Sequence, residues 1–174
     1  MKKLLQVLND FEKQAPLYLN NNKMVSEANV GWHIMHSCLV ITSITKAIIA
    51  SDPALYKKKF SWKAFLVLLL NKIPRGKAKA PSFTQPASEV TMSMVLQQIE
   101  DARKSAALLT TADKNKYFTH PIFGDLQLPT AIKFLFKINS SHEIFKSFIF
   151  YGCLKCLCTG KELNRIEYGV KFKV

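Results

Sequence analysis

At 174 residues the chain is long enough to bury a sizeable core, and nothing in it forces a division into two domains. Hydrophobic residues make up 48% and charged residues 21%, a balance that excludes an intrinsically disordered chain. The net charge of +13 favours an anionic partner, whether nucleic acid, phospholipid surface or acidic small molecule, and carries no information about fold.

The amino terminus has two lysines and a short apolar run, but Asp10, Glu12 and Lys13 interrupt it before the core of an export signal forms. Leu4, Leu5, Leu8, Phe11 and Ala15 instead recur at helical spacing. They predict an amphipathic helix over residues 2 to 19, disturbed in its last turn by Pro16 and closed by Asn20-Asn21-Asn22. Ser26 is the expected N-cap of the next helix, with Glu27 in its first turn, and Asp52-Pro53 ends that helix near Ala50. Within it, His33 and His36 lie three residues apart and so share a face beside Trp32. His36 heads the stripe Val40, Ile44, Ala47, which predicts an inward-facing imidazole able to handle a metal or a proton. The plainer alternative is a pair of solvated or capping histidines near a helix start.

A short helical piece is expected from Pro53 to Lys58, followed by a deeply buried helix in WKAFLVLLLNKI capped by Ser61. Its most apolar part, Ala64 to Leu70, is seven residues, well short of the roughly 20 that span a bilayer, so no membrane span is expected. Residues 74 to 88 hold three prolines and no helical period and predict a long surface loop of the kind that lines sites. Eight basic residues and no acid fall between Pro53 and Ser88. Among them Arg75, Lys77 and Lys79 are the candidates for holding a small anionic ligand. No recognition helix, zinc finger or RNA-binding signature accompanies them, so a solvated basic face is the plainer reading and nucleic acid ranks last among partners.

Ser88 is expected to begin a helix whose stripe is Met92, Val95, Leu96, Ile99, Ala102, Ala106 and Leu109, ending near Ala112. DKNKYFTHPIFGDLQLP then reads as a connection, with His120 a surface or turn-bonding histidine. Pro129 starts a long helix running to about Thr159. On that helix Leu135, Ile138, Phe145 and Ile149 form the apolar stripe, and Asn139, His142 and Glu143 crowd one sector of it. Imidazole, carboxylate and amide oxygen there can each ligate a divalent ion, and as buried polar groups they need partners. The helix carrying them is expected to pack against the one carrying His36.

Cys153, Cys156 and Cys158 have a spacing that grips zinc only on an extended backbone; as a continuation of the helix they are small apolar residues. The four cysteines lack the spread of a disulfide framework, which favours reduced thiols and a cytoplasmic location. From Ile166 to Val174 apolar residues alternate at period two, a strand pattern with no obvious partner. This tail, 161 to 174, either frays, packs as an arm, or adds to the edge of another chain, which leaves a homodimer open. The bundle itself is assigned to 1 to 160. No Ser/His/Asp order, phosphate-binding loop or dinucleotide fingerprint is present.

VGWHIMH resembles the Trp-x-x-x-His signature of the DinB-like (DinB/YfiT) metalloenzymes, with Trp32 and His36 in the matching places, and IPRGKAKAP (73 to 81) and THPIFGDLQL (119 to 128) look like the middle loop and pre-helix turn of a subfamily. The resemblance covers about residues 5 to 150. It implies an all-α four-helix bundle with long crossover connections. One histidine from the second helix and two from the last would hold a single divalent metal, zinc or nickel, in a hydrolase or thiol transferase. Asn139, His142 and Glu143 occupy the places of the family's last-helix motif, with Asn139 and Glu143 where histidines are usual. Metal ligands carried over in this way are His36, Asn139, His142 and Glu143. A bundle that has lost the metal and binds a small anionic ligand or a partner protein is the alternative.

Overall fold

The computed structural model describes residues 1–23, 26–57, 84–86, 89–121 and 123–140. Among these the chain is mostly helical, with one small antiparallel hairpin. The helices are α1 (Lys2–Gln14), α2 (Val30–Ala50), α3 (Met92–Leu108) and α4 (Leu128–Ser140); the strands are β1 (Tyr117–His120) and β2 (Gly124–Gln127). The helix expected in residues 62 to 73, the loop of 74 to 88 except residues 84–86, the continuation of the last helix, the Cys153–Cys158 run and the tail from 161 lie outside the described residues.

α1 buries Leu4, Leu8 and Phe11, as its spacing predicts, together with Val7, while Leu5, expected on the stripe, is only half-buried. It stops five residues earlier than residue 19 because Pro16 sits in a 3-10 turn, Ala15–Leu17, that replaces the last α-helical turns. The cap of α2 is Asn29 and not Ser26. The Asn29 side chain accepts from the Trp32 backbone N–H at 2.8 Å, whereas the Ser26 hydroxyl accepts from Ala28 N–H at 3.1 Å in a turn ahead of the helix. The piece after Pro53 is one 3-10 turn, Pro53–Leu55, capped by Asp52.

α2 is apolar nearly all round, and the face that goes inward is Ile34, Cys38, Ile41, Thr45 and Ile48; Val40 and Ile44 are only half-buried and Ala47 is exposed. The stripe headed by His36 is therefore a flank of α2 and not its core face. The main partner of α2 is α3, while α4 rests chiefly on α1 and the hairpin and touches α2 only lightly over its described length. The rest of the last helix, over which the pairing with α2 was expected, lies outside the described residues. Both α2 and α3 turn small residues inward, Ser37, Cys38 and Thr45 on one and Ala102, Ser105 and Ala106 on the other, which lets their backbones approach closely. α2 is also long and apolar enough, with 21 residues and a mean hydropathy of 1.4, to cross a bilayer on length and composition; the core helices of soluble proteins share that property.

α3 begins at Met92, with Thr91 as its cap, and ends at Leu108, inside both predicted bounds. Leu96, expected on the buried stripe, is exposed. Arg103 ties α3 to α1 by donating to Asn9 Oδ1 at 2.7 Å and Glu12 Oε2 at 2.9 Å.

The connection before α4 is a hairpin and not an irregular loop. Phe118 faces Leu126 across it on the buried side, Thr119 donates to Asp125 Oδ1 on the other, and Gly124 takes the positive φ of 71° that the turn requires. Lys116 fastens it to the end of α2, its Nζ donating to the carbonyls of Ile49 at 2.7 Å and Ser51 at 2.8 Å, while Tyr117 N–H donates to Ser51 Oγ. α4 follows directly, with Pro129 in its first turn and Ala131, Phe134, Leu135 and Asn139 buried.

Candidate metal centre

The start of α2 is held rigidly before any functional side chain is considered. Val30 N–H donates to Asn20 O and Gly31 N–H to Tyr18 O, each at 2.9 Å, so the segment ahead of the helix crosses its first turn. Gly31 permits that crossing: a Cβ there would lie 2.8 Å from Val90 Cγ1 and 3.0 Å from Tyr18 Cβ. Trp32, His33 and His36 then project from the first two turns.

The two histidines diverge. Three residues of helix separate them by about 60° around the axis, and each has its own anchor. His33 is 6% exposed and its Nε2 shares a hydrogen bond with Ser26 Oγ at 2.9 Å. Burial, with the nearby His36 as a second cause, lowers its pKa to about 4, so it stays neutral at physiological pH. His36 is half-buried and its Nδ1 lies 2.6 Å from the carbonyl oxygen of Thr84. A carbonyl only accepts, so Nδ1 carries a proton, and in the neutral ring Nε2 is then the nitrogen with a lone pair to offer. Trp32 braces both rings, stacking on His36 at 5.1 Å between centroids and 13° between planes, and meeting His33 edge to face at 5.2 Å.

That arrangement fits a metal-ligating histidine, which characteristically spends one ring nitrogen on a carbonyl or carboxylate and presents the other to the ion. Asn139 fits less well. It is 4% exposed, and its Nδ2 donates at 2.8 Å to Leu135 O one turn back in α4, as a core amide satisfied by its own helix does. Its Oδ1 is the only end left to ligate. His142 and Glu143, and the anionic-ligand candidates Arg75, Lys77 and Lys79, lie outside the described residues. Among the described residues no three His, Cys, Asp or Glu side chains gather where one ion would be held.

His120 is turn-bonding: its Nδ1 accepts from Phe123 N–H at 3.2 Å, its ring stacks on Phe123, and burial lowers its pKa. Cys38 is fully buried, and burial raises its thiol pKa, so it is an inert core thiol. Two partners escaped sequence reasoning. The Ser26 contact was open to a reading of residue 26 as something other than a cap, whereas the Thr84 carbonyl leaves no side-chain signal. No family model, curated protein or solved structure matches this chain.

Proposed function

We propose that the chain is a DinB-like four-helix bundle holding one divalent metal ion, zinc or nickel, with His36 as its anchor. The observation that carries this reading is the Nδ1–H bond from His36 to the Thr84 carbonyl, which fixes the tautomer that leaves Nε2 free to ligate. His142 and Glu143 are the next donors, and Asn139 Oδ1 would complete a weak, open shell. When bound, the ion would supply a Lewis acid that lowers the pKa of a water or thiol, the chemistry of a hydrolase or thiol transferase. The chain's own contribution is to hold the ring: Trp32 restrains its plane and the Thr84 carbonyl its tautomer.

Elemental analysis of protein purified without chelator or metal-affinity tag tests the reading. Near one equivalent of zinc or nickel is expected, falling to background in His36→Gln. A metal-free parent that also binds neither ion by calorimetry rejects it.

The pinned Asn139 amide favours a second reading, a non-catalytic bundle whose basic segment, through Arg75, Lys77 and Lys79, takes a small anionic ligand. Inorganic phosphate binding that is lost when all three become serine supports that alternative.

A further inference from the structure

Beside the α2 N-terminus Trp32 also lines a cleft of ≈ 300 Å³, with Leu19 and Val90 as its apolar surface and Asn21, Asn29 and Glu27 as its polar surface. We infer that this cleft binds a small organic ammonium ion, held between the indole of Trp32 and the carboxylate of Glu27. The inference is independent of any ion at His36.

A cleft at a helix start ordinarily suits an anion, because the first backbone N–H groups point out of the helix. Here those donors are spent. Val30 N–H goes to Asn20 O, Gly31 N–H to Tyr18 O and Trp32 N–H to the Asn29 side chain. What remains of the helix dipole is roughly half a positive charge, set against the full negative charge of Glu27.

Among the described residues Glu27 is the one charged side chain lining the cleft, and it is exposed. Among the described residues its carboxylate is in no ion pair and accepts no hydrogen bond; Asn21 Nδ2 donates to its backbone carbonyl instead, at 2.8 Å. Even Lys23, close by in sequence, does not pair with it. The Asn21 bond also commits that amide's nitrogen, so its oxygen is the end left for a ligand, and an amide oxygen prefers a donor or a cation.

The pairing of an indole with a carboxylate is what an ammonium ion needs: attraction to the ring quadrupole on one side and to a formal charge on the other. Leu19 and Val90 would take the alkyl part. Ligand pockets run from about 300 to 1,000 Å³, and this cleft is at the lower end, which fits an ion of choline size and excludes large polyamines folded into it.

The probe is choline, titrated into the full chain in the presence of EDTA so that the outcome does not depend on a metal at His36. The readout is the indole N–H resonance of Trp32, distinguished from that of the chain's other tryptophan by its loss in Trp32→Phe. A saturable shift is expected, about tenfold tighter than for the neutral isostere 3,3-dimethylbutanol and weakened about tenfold in Glu27→Gln. Since Glu27 is exposed, that variant folds. No saturable shift, equal affinity for the neutral isostere, tighter binding of propionate than of choline, or an unchanged Kd in Glu27→Gln would each overturn the inference.

Discussion

Replacing His33 by glutamine should remove a defined part of the protein's acid sensitivity. Burial, assisted by the nearby His36, holds the folded-state pKa of His33 at about 4 against an ordinary value of 6.5. The folded pKa is depressed, so above pH 6.5 neither state binds the proton and stability is full. As the pH falls below 6.5 the unfolded chain takes up the proton first, and stability is lost until the folded pKa is reached. At about 1.4 kcal/mol per pH unit the loss is about 2 kcal/mol at pH 5 and about 3 kcal/mol at pH 4. His33 is 6% exposed, so solvent screening takes little from this figure. Urea unfolding followed by circular dichroism at several pH values between 7.5 and 4 measures it, and glutamine keeps a side-chain amide for Ser26 without titrating. Burial also depresses His120, but it is present in both proteins and cancels in the difference. The wild-type curve should fall below that of His33→Gln by the stated amounts. Parallel curves, or an NMR titration of His33 near pH 6.5, would refute the reasoning.

Gly31→Ala should destabilise by about 1–3 kcal/mol in chemical denaturation, because the new methyl meets Val90 and the Tyr18 backbone, where little can yield. Thr91→Ala should cost about 1 kcal/mol and Thr91→Ser much less, since the hydroxyl accepts the Met94 N–H at 3.3 Å; an equal loss in both would point to packing of the methyl group. Lys116→Met should cost about 1.5–3 kcal/mol by removing a charged donor from two carbonyls at the end of α2. Faster amide exchange in β1 and the last turn of α2, with α1 unaffected, is the pattern expected of that variant.

The helices of this chain were legible to the degree that their periodicity is unambiguous. Leu4, Leu8 and Phe11 on α1, and Val95, Ile99, Ala102 and Ala106 on α3, are buried as their spacing requires. α2 is different because it is apolar around most of its circumference. Periodicity does not distinguish Ile34-Cys38-Ile41-Thr45-Ile48 from His36-Val40-Ile44-Ala47, and the choice is made by the small-residue face of α3. The hairpin was obscured by Pro121 between strands of only four residues each, although Phe118 and Leu126 on either side of Gly124 were present to be read. Trp32 and His36 were singled out by their spacing, and the structure stacks them. The opposite commitments of the two imidazoles were not legible, because a three-residue spacing reports a shared face and not what each ring will find beyond it.

The bond from His36 to Thr84 runs to the main chain, across 48 residues of sequence. A peptide carbonyl is common to all twenty amino acids, so substitution at position 84 does not by itself delete the acceptor. The histidine thus makes no demand on the side chain of residue 84, which is itself buried, at 3% exposure. Coupled substitution between positions 36 and 84 should therefore be weak in any set of relatives, however firmly the two are joined. A survey of covarying pairs would pass over this contact, and side-chain substitutions at position 84 that leave the backbone in place would let the imidazole keep its tautomer. Displacing the backbone there, by deleting a residue beside it, is the change that would reach the ring.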